Sequence, residues 1–264
     1  MKKIFLLALV ALAMLACKSK NSPSSPQDGA LTGKFSISAK QSVYFSKGNL
    51  QYRPSTKTWR FALNQYDIVG MDNTNISGTY DGWIDLFGYG TGSNPTQSSS
   101  DSKDYASFSE WGLNKISNGG NKAKMWRSLT MEEWGYILFD RTNAASLRGL
   151  ATVNDVPGLI ILPDQFKQPS DLVWHGGALR YDINIYPLDH WAKMEKAGAV
   201  FMPAAGMRYG KECADVHAKG FYWSSTPYKH DATEANGPYF DEKEIDWYAY
   251  PRRFGQSVRL VQSN

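Results

Sequence analysis

The segment from Tyr228 to Arg253 mixes aromatic, charged and amide side chains and shows little apolar periodicity. Tyrosine and tryptophan offer large, rigid contact surfaces at a small cost in conformational entropy, and polar loop residues add adaptable hydrogen bonds. We therefore expect a ligand-binding loop here. The alternative is an ordinary loop whose aromatic rings cover the core. The residues expected to touch a ligand are His230, Trp247, Tyr248, Tyr250 and Arg252.

The same segment carries carboxylates, which open a second possibility. Glycoside hydrolysis needs two carboxyl groups that flank the scissile bond, and Asp241, Glu242 and Asp246 are candidates for them. A carbohydrate-active hydrolase is therefore one alternative to a binding protein. A structural subunit of a surface assembly is another, and such a subunit is expected to carry a long unpaired edge strand.

The remaining patterns do not favour catalysis or a cofactor. The chain has no G-x-S-x-G motif, and its histidines are scattered without the spacing of metal ligands. The glycine-rich stretch "GYGTGS" (88–93) precedes no helix start, so it does not predict a phosphate site. We assign no catalytic residue and no cofactor.

Calcium is the one metal that the sequence leaves open. Oxygen-bearing side chains, which this hard cation prefers, are grouped in "QPSD" (168–171), "MDNTN" (71–75) and "DEKEID" (241–246). A solvated polar turn or loop explains each of these groups as well. The sequence therefore assigns no calcium ligand.

The first 16 residues are typical of a secretory signal peptide. Lys2 and Lys3 precede an apolar run at 4–15, which is too short to span a bilayer, and "LAMLAC" places a cysteine at the cleavage junction. This junction resembles the lipobox of bacterial lipoproteins, so Cys17 is the predicted lipidation site and membrane anchor. We expect a protein of the cell envelope at the outer membrane, on either its surface or its periplasmic face.

A polar segment and one globular domain follow the predicted anchor. Residues 17–33 are rich in serine and proline, as in a flexible tether, and residues 34–264 form the expected domain. Without Lys2 and Lys3, 27 basic residues face 25 acidic ones, so the charge balance predicts no nucleic-acid partner. If Cys17 is lipidated, Cys213 has no partner for a disulfide, and stability must come from the core.

The elements of this domain can be located from local patterns. Alternating apolar residues predict strands at 42–54 and 58–63. A capping box from Thr130 to Glu133 opens one predicted helix, and Asp189 and Gly198 bound a second. In "GFYWSSTP" (220–227) the alternation predicts a strand with Trp223 in the core. The chain is therefore expected to be a single α+β domain.

Several ordered blocks carry a resemblance to a known family. They include "VYFSKGNLQY", "GWIDLFGYGTG", "WRSLTMEEWGYIL", "GLIILPD", "AGAVFMPAAGMRYG", "GFYWSST" and "SVRLV". In this order they resemble the Fibrobacter succinogenes major paralogous domain family, which is widespread in secreted and lipid-anchored proteins of Bacteroidetes. The resemblance runs from about residue 40 to the C-terminus.

The resemblance implies a C-type-lectin-like fold, with two short helices that flank a small twisted antiparallel β core and with long loops that bind ligands. Enzymes of that fold that generate formylglycine hold copper with two late cysteines, whereas Cys213 is alone here. We therefore expect binding and not oxidation. The expected partner is a glycan or a protein surface.

Overall fold

The structure, a computed structural model, describes residues 28–263. The signal peptide, Cys17 and most of the tether lie outside these residues. The strands are β1 (Ala30–Ser36), β2 (Ser42–Ser46), β3 (Leu50–Arg53), β4 (Thr58–Phe61), β5 (Arg148–Val153), β6 (Val156–Ile161), β7 (Ile185–Tyr186), β8 (Val200–Pro203), β9 (Met207–Tyr209), β10 (Glu212–Ala214), β11 (Gly220–Phe221), β12 (Glu234–Asp241), β13 (Glu244–Pro251) and β14 (Val261–Ser263). The α-helices are α1 (Met131–Gly135) and α2 (Leu188–Lys196).

The strands of the described residues form five small sheets. Their orders are β1-β2-β14, β3-β4, β7-β5-β6-β8, β10-β9 and β11-β12-β13. All pairings are antiparallel except that of β5 with β7. Because β14 pairs with β2, the C-terminal end of the described chain closes the first sheet. Strand β1 begins at Ala30, so residues 30–33 of the expected tether belong to this sheet.

The expected α+β, C-type-lectin-like fold is wrong. Two helices were expected to flank one antiparallel core, but the strands are spread over five sheets and helix is scarce. The helix expected from Met131 onward is α-helical for only five residues and continues as a π-helical turn at Tyr136–Asp140. Local periodicity identified apolar faces, but it carries no information on which distant strands pair.

Local signals at the two helices had mixed outcomes. The capping box of α1 is confirmed, since the Thr130 side chain accepts from the Glu133 N–H and the Glu133 side chain accepts from the Thr130 N–H. Asp189 as N-cap of α2 is wrong, because Pro187 holds that position and Asp189 lies in the first turn. Gly198 follows the end of α2 with φ +95°, a conformation that glycine adopts without steric cost.

Residues 220–224 lie in the interior. Phe221, Tyr222 and Trp223 are all buried, and the core position predicted for Trp223 is confirmed. Both edges of this stretch are paired, with β12 on one side and on the other through the Trp223 N–H, which donates to Ser257 O at 3.0 Å. No helix within residues 28–263 is long and apolar enough to cross a membrane.

Candidate functional site

The predicted binding loop is largely a β-hairpin. Strands β12 and β13 pair from Glu234 with Pro251 to Asp241 with Glu244, and residues 220–228 run along the other side of β12. Side chains alternate between the two faces of a strand, and paired residues share a face. Tyr248 and Tyr250 therefore lie on one face of the hairpin, and Trp247 lies on the other.

The first face lines a groove of about 390 Å³. We call it the tyrosine groove and define it by Tyr209, Asp215, Lys219, Phe221, Tyr239, Glu244, Tyr248 and Tyr250. Tyr209 and Tyr248 are 41% and 40% exposed. Two large rings are therefore available to a ligand in one groove.

Packing of the aromatic rings holds this groove in shape. The Phe221 ring lies 5.1 Å from Tyr239 and 5.4 Å from Tyr250, between ring centroids. The Tyr248 ring is 5.5 Å from Tyr239, and the Tyr209 ring packs edge-on against Phe254 at 4.4 Å. Edge-to-face contacts at these distances are favourable, so the exposed rings are braced before a ligand arrives.

Polar groups of the groove are oriented by hydrogen bonds. The Tyr248 hydroxyl donates to Glu244 Oε1 at 2.8 Å, and this bond raises the pKa of Tyr248. Lys219 Nζ lies 3.4 Å from Asp215 Oδ1. Burial raises the pKa of Tyr250, so both tyrosines keep their protons at neutral pH. The groove thus presents neutral phenols beside carboxylates and an ammonium group.

Trp247 faces a different cavity, of about 560 Å³, on the other side of the hairpin. We call it the tryptophan cleft and define it by Met131, Gly135, Phe139, Tyr228, Asn236 and Trp247. Helix α1 and the π-helical turn after it supply one wall. The five predicted ligand contacts are therefore not brought together in one site.

The other two predicted contacts belong to neither cavity. His230 is exposed in the loop before β12, where its ring packs against Tyr228 at 5.3 Å. Arg252 is only 6% exposed, and its guanidinium lies 5.0 Å from the Tyr89 ring. It also donates to the carbonyl oxygens of residues 105, 106 and 234. Arg252 therefore ties the hairpin to the body of the protein.

The carboxylates named for hydrolysis are engaged in local structure. Asp241 accepts from the Tyr239 hydroxyl at 2.6 Å and from the N–H groups of the β12–β13 turn. Partial burial acts to raise its pKa, but these hydrogen bonds outweigh burial and lower it. A general acid needs a raised pKa, so Asp241 is unsuited to that role. Glu242 accepts from Tyr181 N–H at 3.3 Å, and Asp246 accepts from Trp247 N–H at 2.8 Å.

The outer edge of β13 is protected against strand addition. The side chain of Asp246 accepts a hydrogen bond from the Trp247 N–H, and Arg148 Nη1 donates to the Ile245 carbonyl at 3.3 Å. Pro251 has no N–H to offer. Charged residues and proline are the devices with which natural edge strands avoid pairing. This eight-residue edge is therefore a poor template for a structural assembly.

The oxygen-rich stretches named for calcium are occupied by internal contacts. Asp171 of "QPSD" pairs with Lys193, and Asn73 of "MDNTN" donates to Asp85 at 2.7 Å. Within residues 28–263 no group of three or more His, Cys, Asp or Glu side chains is placed to hold a metal ion.

Six groove residues were not among the predicted ligand contacts, namely Tyr209, Asp215, Lys219, Phe221, Tyr239 and Glu244. Tyr209 belongs to "MRYGK", where β9 and β10 form a short hairpin. Nothing in its local pattern separates an exposed tyrosine from a core one. Its place beside Tyr248 arises from the packing of two sheets, β10-β9 and β11-β12-β13, which are separated by residues 215–219 along the chain.

Comparison with known proteins gives one match. A family model described as "Domain of unknown function (DUF8237)" matches residues 185–261. No curated protein and no solved structure matches the chain, so the resemblance to the major paralogous domain family stays a prediction. The matched segment contains every residue of the tyrosine groove, whereas the wall of the tryptophan cleft formed by α1 lies outside it.

Proposed function

We propose that this protein is a binding protein whose tyrosine groove takes a carbohydrate. The observation that carries the proposal is the pair of exposed rings, Tyr209 and Tyr248, which line one groove together with carboxylates and a lysine. A pyranose ring has an apolar C–H face and a rim of hydroxyl groups. The flat tyrosine rings can stack on the C–H face, and Asp215, Lys219 and Glu244 can form hydrogen bonds with the hydroxyl groups.

Binding is favoured over hydrolysis by the lowered pKa of Asp241. A hydrolase needs one carboxyl group that holds its proton at working pH. Asp241 is held in its ionised form by the hydrogen bonds of the turn. Asp241 therefore lacks the raised pKa of a general acid, whereas the phenols of the groove together with Asp215, Lys219 and Glu244 offer polar contacts that can orient a sugar.

Removal of either exposed ring should weaken carbohydrate binding. A stacking contact contributes about 0.5–1.5 kcal/mol beyond its buried area, so Tyr209→Ala and Tyr248→Ala should each raise Kd about three- to tenfold. Purified protein is first screened on a glycan array with calcium and with chelator, and Kd for a hit is then measured by calorimetry.

Two matched variants make this test specific. Tyr248→Phe keeps the ring and should bind more tightly than Tyr248→Ala. Trp247→Ala lies on the opposite face of the hairpin and should leave Kd unchanged. An array with no hit in either condition would favour a protein partner, and release of reducing sugar from a hit would favour the hydrolase.

We also propose that a lipid on Cys17 holds the protein at the cell envelope. Support comes from the order of Lys2 and Lys3, the apolar run and "LAMLAC". Cys17→Ala should move most of the protein from the membrane fraction to the soluble fraction, as measured by immunoblot. An unchanged membrane fraction would contradict the lipid anchor. Protease treatment of intact cells would show whether the domain lies on the surface or the periplasmic face of the outer membrane.

A further inference from the structure

The tryptophan cleft has features that the fold does not require. Gly135 has helical backbone angles, φ −57° and ψ −46°, so it needs none of the special freedom of glycine. A Cβ atom placed on it would meet no atom within 4 Å. Glycine is among the least favourable residues in a helix. Its lack of a side chain leaves the cleft open beside α1.

The wall next to Gly135 is also unusual. Residues Tyr136–Asp140 form a π-helical turn, a rare conformation that often occurs at functional sites. This turn places Phe139, which is 37% exposed, in the same cleft as Trp247, which is 45% exposed. Met131 and Tyr228 complete the apolar lining. The cleft can therefore enclose a flat or aliphatic body.

A buried acceptor in the wall of the cleft has no partner within the described chain. Asn236 lines the cleft and is 7% exposed. Its Nδ2 donates to the Pro227 carbonyl at 3.3 Å, while its buried Oδ1 has no hydrogen-bond partner within the described chain. The dipole of this unpaired amide adds negative potential to the wall of the cleft.

The charges at the rim indicate the kind of donor. Glu132 and Asp140 are exposed on α1 and the π-helical turn, and Lys229 is the cation among the lining residues. Within residues 28–263, neither carboxylate has a cationic partner within 4.0 Å. The Arg148 guanidinium already lies over the Phe139 ring, 4.4 Å from its centroid, so cation–π attraction to a ligand is assigned to Trp247. Two unpaired carboxylates beside the exposed Trp247 ring favour an organic cation, through ion pairing and cation–π attraction.

We infer that the tryptophan cleft binds a cationic amine or guanidinium group carried on an apolar stem, with the cation beside Glu132 and Asp140 and the stem against Trp247. The group comes either from a basic side chain of a protein partner or from a free organic amine, since both present the same chemistry. This site is separate from the tyrosine groove, so its failure and the failure of carbohydrate binding are distinguishable.

The test uses benzamidine, a planar cation on an aromatic body, with neutral benzamide as its matched control. Binding to the purified full chain is followed by ligand-observed NMR. Benzamidine should bind, and benzamide should bind at least tenfold more weakly. Equal affinity for both, or no binding of benzamidine, would overturn the inference.

Variants then locate the site. Trp247→Ala and Gly135→Leu should each weaken benzamidine binding at least tenfold, the first by removing a ring and the second by filling the cleft. Leucine is a good helix former, so Gly135→Leu should keep its thermal midpoint. Tyr209→Ala, in the tyrosine groove, should bind benzamidine like the wild type. Unchanged binding by a folded Gly135→Leu would overturn the site.

A blocked peptide, acetyl-Gly-Arg-Gly-amide, distinguishes the two sources of the cation. Binding of the peptide that is tighter than that of benzamidine and is lost in Gly135→Leu supports a protein side chain. Binding of benzamidine alone supports a free amine.

Discussion

Trp223→Ala is expected to lower the free energy of unfolding by about 3–5 kcal/mol, the usual cost of removing a large buried ring. Trp223 is 1% exposed, its ring lies 5.3 Å from Tyr89, and its Nε1 donates to the Phe87 carbonyl at 2.7 Å. That carbonyl also accepts from Gln256 N–H at 2.9 Å, so it keeps one partner in the variant. Most of the cost is therefore the cavity and the lost apolar contacts.

The matched control for this variant is Trp247→Ala, since Trp247 has the same side chain but is 45% exposed. Its removal should cost less than about 1 kcal/mol, as is usual for surface positions. Urea unfolding followed by circular dichroism gives both values. Similar midpoints for the two variants would show that Trp223 does not anchor the core.

The second large effect concerns pH and a buried carboxyl group. Asp85 is fully buried, and burial raises its pKa to about 6, although hydrogen bonds from Asn73 Nδ2 and Val69 N–H act to lower it. The ordinary value is 3.8. The folded state thus binds this proton more tightly than the unfolded state. The resulting stability is fully present below about pH 4 and is lost as the pH rises through 6.

A shift of about two pKa units corresponds to about 3 kcal/mol. The unfolding free energy of the wild type should therefore fall by about that amount, relative to Asp85→Asn, between pH 4 and pH 7. Asparagine does not titrate, and any constant cost of its amide cancels in this difference. Urea unfolding of both proteins at pH 4, 5, 6 and 7 measures it. Parallel pH profiles would contradict the raised pKa.

Local features of the fold were predictable because their causes lie within a few residues. The capping box at Thr130 depends on a hydrogen-bond exchange across three positions, and it is confirmed. Strands were expected at 42–54 and 58–63 from alternation; β2 and β3 lie in the first range, and β4 lies at the start of the second. The length of α1 was not predicted, since the apolar spacing from Met131 to Leu138 indicated an α-helix throughout, whereas a π-helical turn begins at Tyr136.

The candidate site differs from the prediction in the secondary structure of residues 228–253 and in the long-range contacts of Arg252. Residues 228–253 lack apolar periodicity, so they were expected to form a loop, but most of them form a hairpin. Alternation along β13 then separates Trp247 from Tyr248. Arg252 was expected at the surface, yet its guanidinium finds carbonyl partners at residues 105 and 106, almost 150 positions earlier.

What the sequence by itself determined is therefore local: the capped start of α1, strands β2 to β4 and the burial of Trp223. Only the tertiary structure decided which distant residues contact one another. Arg259 Nη2 donates to Gln65 Oε1 at 2.6 Å, although the two residues are 194 positions apart, and Tyr209 lines the same groove as Tyr248. The physical reason is that propensity and periodicity act within a few residues, whereas pairing of strands and packing of sheets depend on all the surfaces that compete for burial at once.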